Sequence, residues 1–259
     1  MQRDDKKTQG IINKVISMSM TENEEIILKY LSFRGMALAI DIQAAFGRNK
    51  AYTNRVLQRL IQKGWVEKAD FTVLRRQGFV SSFYQITQAG YLEANSDFGD
   101  DKFFKPVMPA NFTHKTHIDH VTALLYRYGY RPYGMTKTEV QANLKTRGRV
   151  PDALMESGKQ TLAIEVELAT KNANRYHAIL RSYVALISKG YIDGVCYVRS
   201  SQRSAEALKL SLVKRFKSIV IPHTSTLVKM EQMWGHFMFL GIDELEGQLQ
   251  AAVKNSGAA

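Results

Sequence analysis

The chain has 259 residues, of which 45% are hydrophobic, enough for two ordinary domains that each bury a core. No apolar stretch approaches the roughly 18 residues that span a bilayer, and no signal-like core follows the charged N-terminal residues, so we expect a soluble, cytoplasmic protein. The single cysteine, Cys196, excludes an internal disulfide and a zinc site made of several thiolates. A net charge of +12 favours a polyanionic partner, DNA first, because basic side chains that neutralise phosphates release condensed counterions.

One break in composition predicts two domains. Residues 96–111 combine aspartates, a glycine and two prolines, which interrupt both helical and strand periodicity, so we predict a linker there. It separates a domain at 21–95 from a second domain at 112–252, with an N-terminal arm at 1–20 and a disordered tail at 253–259. Both predicted domains carry net positive charge, so both are expected to contact the same polymer.

In the first domain we predict three helices followed by a hairpin. Thr21 and Glu24 have the spacing of a capping box at the start of the first helix. Two further helices are predicted at 37–46 and 49–64, and strands at 65–76 and 79–87, with a turn at Gln77 and Gly78. This order describes a winged helix-turn-helix. The spacing Thr87-x-x-Gly90 resembles the segment leading into the short helix that closes many bacterial winged-helix domains.

The third helix of a winged helix-turn-helix enters the major groove with its N-terminal end first. Residues 48–76 hold eight basic residues against two acidic ones, which is the charge pattern of a surface that follows phosphates. The alternative is a solvated helix face in a domain that binds protein. The predicted DNA-binding residues are Arg48, Asn49, Lys50, Tyr52, Thr53, Asn54, Arg55, Arg59, Arg75 and Arg76, together with Arg147, Arg149 and Arg175 of the second domain.

For the second domain we predict the order αβββαβαβ, a mixed α/β fold, so that the whole chain is α+β. A helix between two buried strands indicates a parallel crossover. The predicted helices cover 113–130, 172–190 and 204–216. The predicted strands cover 135–144, 148–155, 160–168, 191–199 and 218–223.

Acidic residues interrupt the apolar strands of this domain, where a basic protein has no structural need for them. Asp152 follows Pro151, and Glu165 and Glu167 share one face of their strand. Because neighbouring strands lie about 4.8 Å apart, Asp152 and Glu165 could together hold a divalent cation. Glu139, on the preceding strand, could add a third ligand or hold a metal-bound water.

A nuclease is the function that this set of carboxylates predicts. Mg²⁺ or Mn²⁺ would polarise the scissile phosphate and lower the pKa of its bound water. Glu167 would orient the attacking water, and Lys171 and Arg175 would stabilise charge on the phosphate. The alternative is that the acids form the polar face of a half-exposed sheet.

The residues VPDALM, followed about a dozen residues later by Glu165-x-Glu167, resemble the PD-(D/E)xK nuclease signature, and αβββαβ is similar to its restriction-endonuclease-like core. More narrowly, the winged helix, the H-x-x-H helix, TEVQANLKTRGRVPDALM and LAIEVELATKNANRYHAIL resemble, in this order, the replication-relaxation family. That family includes the MOB-C class of plasmid mobilisation relaxases. The resemblance spans residues 22–200 and is sharpest at 139–183.

The resemblance implies a site-specific relaxase that nicks a plasmid transfer origin in conjugative mobilisation, without the histidine cluster and tyrosine of the commoner relaxases. Glu139, Asp152 and Glu165 would bind the metal, and Glu167 replaces the lysine of the broader signature. Lys171 could bring the missing ammonium, the site could use two metals, or it could be inactive. The implied partners are double- and single-stranded origin DNA, an accessory mobilisation protein and a coupling protein, with no membrane partner; a homodimer stays open.

The histidines and tyrosines of this domain carry weaker signals. His114, His117 and His120 spread too widely around a helix for a zinc site, which leaves His117 as a helper near the phosphate or as a packed residue. Tyr176 and Tyr183, seven residues apart, are predicted in the core. Two other functions stay open: a non-catalytic DNA-binding regulator of plasmid replication or transcription, and a restriction- or transposition-type endonuclease.

Overall fold

A computed structural model describes residues 19–69, 82–95, 112–132, 150–158, 160–221 and 224–256, without the side chains of 112 and 252–256. The chain divides into two compact units, Met1–Met108 and Pro109–Ala259. This division falls inside the predicted linker at 96–111, which lies outside the described residues, as does nearly all of the predicted arm at 1–20. The fold is mixed α/β, as predicted.

The elements of the first unit are α1 (Glu22–Arg34), β1 (Met36–Leu38), α2 (Ala39–Phe46), α3 (Lys50–Gln62), β2 (Val66–Lys68), β3 (Phe83–Ile86) and α4 (Gln88–Ala94). The three strands form an antiparallel sheet with the order β1–β3–β2.

The prediction for the start of the second helix was wrong. Met36–Leu38 forms β1, which pairs with β3, and Met36 and Ala37 are buried in that pairing. Long-range pairing outweighs the local helix preference of these residues, so the predicted hairpin is part of a larger sheet. The turn predicted at Gln77 and Gly78 lies outside the described residues.

The predicted capping box at the start of α1 is present, and its glutamate also contacts a second helix. Glu24 is only 1% exposed, and its Oε2 accepts hydrogen bonds from the Thr21 main-chain N at 2.9 Å and hydroxyl at 3.0 Å. Lys63 Nζ also donates to Oε2 at 3.0 Å, and Arg59 Nε lies 3.3 Å from Oε1. This carboxylate therefore joins the first turn of α1 to the C-terminal end of α3.

We expect Glu24→Gln to destabilise the protein by about 1–3 kcal/mol at pH 7, because charged hydrogen bonds are lost from a buried position. Burial by itself raises the pKa of Glu24, but the hydrogen bonds from Thr21 and Lys63 outweigh it and hold that pKa below 4.5. The stabilisation is therefore complete above pH 4.5 and is lost as the pH falls through the lower pKa of the folded state.

Calorimetric unfolding of the full chain at pH 7 and in acid measures this difference. The gap between wild type and Glu24→Gln should close in acid. Glu25→Gln is the control, because Glu25 forms an exposed ion pair with Lys29 on the same helix; we expect an effect within about 0.5 kcal/mol. A pH-independent gap would contradict this role of Glu24.

The Thr87-x-x-Gly90 spacing has a structural cause. The Thr87 hydroxyl accepts a hydrogen bond from Gly90 N at 3.1 Å and donates one to Gly64 O at 2.7 Å. A Cβ atom at Gly90 would lie 2.0 Å from the carbonyl oxygen of Trp65. Only glycine lets the first turn of α4 approach the backbone at Trp65 this closely, and the predicted short helix is present.

The elements of the second unit are α5 (Phe112–Arg127), β4 (Arg131–Pro132), β5 (Ala153–Ser157), β6 (Gln160–Val166), α6 (Ala173–Ser188), β7 (Gly194–Arg199), α7 (Gln202–Arg215), β8 (Ser218–Val220), β9 (Leu227–Lys229), α8 (Met230–Met233), a 3-10 helix (Trp234–His236), β10 (Phe237–Gly241) and α9 (Ile242–Ser256). Five of the strands form a mixed sheet with the order β10–β7–β6–β5–β4, and β8 and β9 form a separate pair.

Strands β6, β7 and β10 are parallel, and α6 connects β6 to β7, so the predicted parallel crossover is present. The opposite side of β6 pairs with β5 in antiparallel order. As a result, the start of β5 and the carboxyl ends of β6 and β7 meet at one edge of the sheet. None of the helices in the described ranges combines the length and apolar character needed to cross a bilayer.

Two predictions for the C-terminal part of the chain were wrong. The strand predicted at 218–223 is shorter and pairs with β9 outside the main sheet, while β10 is the outermost strand, next to β7. Phe237 and Phe239 stack on Tyr197, with ring centroids 6.5 and 5.3 Å apart, and this packing holds β10 in place. Helix α9 continues to Ser256, so 253–256 are helical rather than part of a disordered tail.

Cys196 is a buried residue of the strand that was predicted at 191–199. It lies in β7, and complete burial raises the pKa of its thiol to about 12. The thiol is therefore neutral and unreactive at physiological pH. Tyr176 and Tyr183 of α6 also belong to the buried core, together with Leu180 and Val184.

Candidate functional site

The Asp152 carboxylate is fixed at the edge of the sheet, directly before β5. Its main-chain N donates to Ile164 O at 3.0 Å, and its Oδ2 accepts from Val166 N at 2.9 Å. His114 of α5 brings Nε2 to 3.3 Å from Oδ2 and to 2.9 Å from Val166 O. With its side chain only 10% exposed, Asp152 joins β5, β6 and α5 at one point.

The Glu165 carboxylate is completely buried, at 0% exposure. The hydroxyl of Tyr183, itself fully buried on α6, donates a hydrogen bond to Glu165 Oε1. A carboxylate in this position is costly to bury unless hydrogen bonds or a cation compensate it. Tyr183 was predicted only as a core residue, and its hydroxyl is the part of the site that the helical periodicity does not reveal.

Glu167 is also buried, at 1% exposure, and it forms an ion pair with Lys171. Tyr176 donates its hydroxyl to Glu167 Oε1 at 3.3 Å, and that hydroxyl oxygen accepts from Lys171 N at 3.2 Å. Burial raises the pKa of Tyr176, and the negative charge of Glu167 acts in the same direction. The phenol is therefore a proton donor throughout the physiological pH range.

These positions overturn the interpretation of the acids as a half-exposed polar face. Both glutamates of β6 and its C-terminal extension are buried beneath α6, each held by a tyrosine hydroxyl. Their placement on one face of the strand agrees with the predicted alternation.

Of the three histidines spaced three residues apart on α5, His114 contacts Asp152, whereas the prediction chose His117. The Nδ1 atom of His117 lies 2.8 Å from Thr113 O in the same helix, which turns its ring toward the helix backbone. The spacing marked the helix that lies against Asp152, but periodicity alone does not tell which histidine faces the sheet.

The predicted metal ligands are Asp152, Glu165 and Glu139, of which Glu139 lies outside the described residues. Within the described ranges, no three His, Cys, Asp or Glu side chains come together as a metal site. The donor chemistry of Asp152 and Glu165 nevertheless suits a hard cation, because Mg²⁺ takes oxygen ligands and needs only one or two protein carboxylates.

The N-terminal turns of α3 form an exposed surface, which we call the α3 surface and define as Arg48, Asn49, Lys50, Asn54 and Arg55. Asn49 caps the helix, because its side chain accepts from Tyr52 N at 2.9 Å. Arg55 lies over the Tyr52 ring, 5.2 Å from its centroid. Three cations on this surface therefore stand on a rigid, capped helix end.

Three predicted DNA-binding residues of α3 have other roles. Thr53 is 1% exposed and donates its hydroxyl to Asn49 O at 3.0 Å, so it faces the core and the prediction was wrong. Tyr52 is half-buried and accepts a hydrogen bond from Asn23 at 3.2 Å. Arg59 is exposed but lies against Glu24.

The remaining predicted basic residues divide into two groups. Arg175 is exposed in the first turn of α6, where Asn172 caps the helix by accepting from Arg175 N at 2.9 Å. Arg75, Arg76, Arg147 and Arg149 lie outside the described residues.

Comparison of the chain with models of known families, with curated proteins and with solved structures gave no match.

Proposed function

We propose that this chain is a metal-dependent DNA-nicking enzyme. Its first unit would be a winged helix-turn-helix that binds duplex DNA, and its second unit a restriction-endonuclease-like domain that cleaves one strand. The burial of Glu165 at the edge of the sheet where Asp152 is also held is the observation that carries the proposal.

The topology of the first unit supports DNA binding. The order α1–β1–α2–α3–β2–β3, with β1 paired to β3, is that expected of a winged helix-turn-helix. The α3 surface presents Arg48, Lys50 and Arg55 at the helix end that enters the major groove in such domains. The chain's net charge of +12 agrees with binding to a polyanion.

The position of the acids supports cleavage. Asp152, Glu165 and Glu167 lie at the edge where β6 and β7 end, and open α/β sheets bind ligands outside the carboxyl ends of their parallel strands. An apolar residue would fill the position of Glu165 with less desolvation cost. A buried acid kept at this edge of the sheet is therefore better explained by chemistry than by packing.

The chain's own residues would prepare the site. Tyr183 orients Glu165, while Val166 N and His114 orient Asp152, so both carboxylates are fixed before a ligand arrives. Lys171 neutralises Glu167, which keeps that second buried charge from repelling a phosphate. Mg²⁺ or Mn²⁺, held by Asp152 and Glu165 with Glu139, would polarise the phosphate and lower the pKa of its bound water.

The substrate we propose is a plasmid transfer origin, as the resemblance to mobilisation relaxases implies. The test uses supercoiled plasmids with and without the cognate transfer origin, incubated with Mg²⁺, Mn²⁺ or EDTA. Open circles should form only from the origin plasmid and only with metal. Equal nicking of both plasmids would leave a restriction- or transposition-type endonuclease, and metal-independent nicking would refute the mechanism.

A non-catalytic DNA-binding regulator is the second candidate. It is favoured by the protein partners that the acids already have, since Glu167 pairs with Lys171 and Glu165 with Tyr183. In that case the purified protein would bind the origin plasmid tightly and yet produce no open circles, even with an accessory mobilisation protein present.

A further inference from the structure

Arg199, the last residue of β7, has buried donor groups that nothing in the described part of the chain satisfies. Its Nε and Nη1 atoms are shielded from solvent and have no hydrogen-bond partner there. A buried charged donor without an acceptor is costly, and folded proteins rarely keep one without a reason. A ligand that supplies acceptor oxygens would remove this cost.

The register of the sheet places Arg199 beside the buried acids. Glu165 of β6 is paired with Tyr197 of β7, and Glu167 N donates to Val198 O at 2.8 Å, which extends the ladder by one step. Because side chains alternate along a strand, Arg199 shares the face of Tyr197, and therefore the face of Glu165 and Glu167. On its other side, Arg199 is paired with Gly241 of β10, which has no side chain to act as an acceptor.

The charges around Arg199 leave it without a counterion among the described residues. Glu167 is already paired with Lys171, and no described acid forms an ion pair with Arg199. The guanidinium acts on the Tyr176 hydroxyl, where its positive charge partly opposes the rise in the pKa of Tyr176 that burial causes. Arg199 is therefore near Glu167, Lys171 and Tyr176, but it forms no ion pair with Glu167.

The first N–H groups of the following helix, α7, are not the donors that lack acceptors here. Ser201 caps α7, and Asp243 accepts from Gln202 N at 3.0 Å, so that helix end already has its acceptors. The unsatisfied donors belong to Arg199 itself. Guanidinium groups suit phosphate because they present several N–H donors in a fixed plane.

We propose that Arg199 binds a backbone phosphate of the DNA strand at the carboxyl ends of β6 and β7. The proposal deepens the nicking function above and rests on it for the identity of the polymer. Arg199 is then a substrate-binding residue of the second unit. Two observations support a phosphate as its ligand, namely its unsatisfied donors and its place in the sheet.

Isothermal titration of the full chain with inorganic phosphate and with the dinucleotide thymidylyl-thymidine, at constant ionic strength, tests this. Arg199→Met should weaken both ligands by about tenfold or more, because charge-assisted hydrogen bonds are lost. Arg203→Met is the control, since Arg203 is exposed in the first turn of α7, and it should bind like wild type. Equal binding by Arg199→Met and wild type would overturn the proposal.

Thermal unfolding without added phosphate separates binding from a structural role. Because Arg199→Met removes two buried donor atoms that lack acceptors, its Tm should equal or exceed that of wild type, and a clearly lower Tm would overturn the proposal. Binding of inorganic phosphate but not of the dinucleotide would overturn the assignment to DNA.

The proposed cleavage and the role of Arg199 can fail separately. If wild type nicks no plasmid while Arg199→Met loses dinucleotide binding, then the proposal of cleavage is wrong, but the proposal of a phosphate site at Arg199 is supported. If wild type nicks and Arg199→Met binds the dinucleotide normally, then the Arg199 proposal is wrong.

Discussion

Asp152→Asn and Glu165→Gln are each expected to reduce metal-dependent nicking of the origin plasmid by about 10²–10³-fold or more. Each change removes one negative charge from the edge where β5 begins and β6 ends, while it keeps the size of the side chain. The new amide oxygens can still accept the hydrogen bonds that Val166 N and the Tyr183 hydroxyl donate to the native carboxylates. The expected loss is therefore electrostatic, and a plasmid relaxation assay measures it.

The matched control is Glu156→Gln, which removes the same charge from the far part of β5, where Glu156 is paired with Thr161. We expect nicking within about twofold of wild type, because Glu156 is half-buried toward the other end of β5 and substitutions away from a site have small effects. Gel-shift assays should show unchanged DNA binding for all three variants. Comparable nicking by Asp152→Asn and Glu156→Gln would remove Asp152 from the mechanism.

Replacing Lys50 or Arg55 by alanine is expected to weaken DNA binding strongly, because both lie on the α3 surface. An arginine that reads a base contributes about 1–3 kcal/mol, so Arg55→Ala should weaken binding about tenfold or more. Lys50→Ala should lower the slope of log affinity against log salt concentration by about 1, the effect of one lost phosphate contact. Fluorescence anisotropy over a salt series measures both quantities.

Lys29→Ala tests whether this loss is specific. Lys29 carries the same charge on α1 of the same unit, where it pairs with Glu25. Its removal should leave the affinity within about twofold of wild type, since it lies outside the α3 surface. If Lys29→Ala weakens binding as much as Arg55→Ala, then net charge alone drives binding and the α3 surface does not read DNA.

The features of the first unit that the sequence predicted are those with local causes. The Thr21 and Glu24 capping box needs only four consecutive residues, and the Thr87-x-x-Gly90 spacing reflects one hydrogen bond and one close backbone approach. Met36–Leu38 became a strand because of pairing with β3, far along the chain, which no local pattern reports. Thr53 illustrates the same limit, since a small polar residue on α3 can face the core when its hydroxyl finds a carbonyl in its own helix.

The acids of the second unit were found from the sequence, but their environment was not. Strand alternation placed Glu165 and Glu167 on one face, whereas their burial depends on α6 lying over that face. Helical periodicity identified Tyr183 as a core residue without showing that its hydroxyl meets Glu165. No pattern in the sequence distinguished Arg199 as a binding residue, because an arginine that ends a strand is usually solvated. Only the packed structure shows its buried donors.

Binding of Mn²⁺ to the purified protein, followed by electron paramagnetic resonance, separates metal binding at the Asp152 and Glu165 edge from every later step of DNA cleavage. We expect wild type and Glu156→Gln to bind the ion alike, and Asp152→Asn and Glu165→Gln to bind it at least about tenfold more weakly. Absence of binding by wild type, or equal binding by all four proteins, would contradict a metal site formed by these carboxylates.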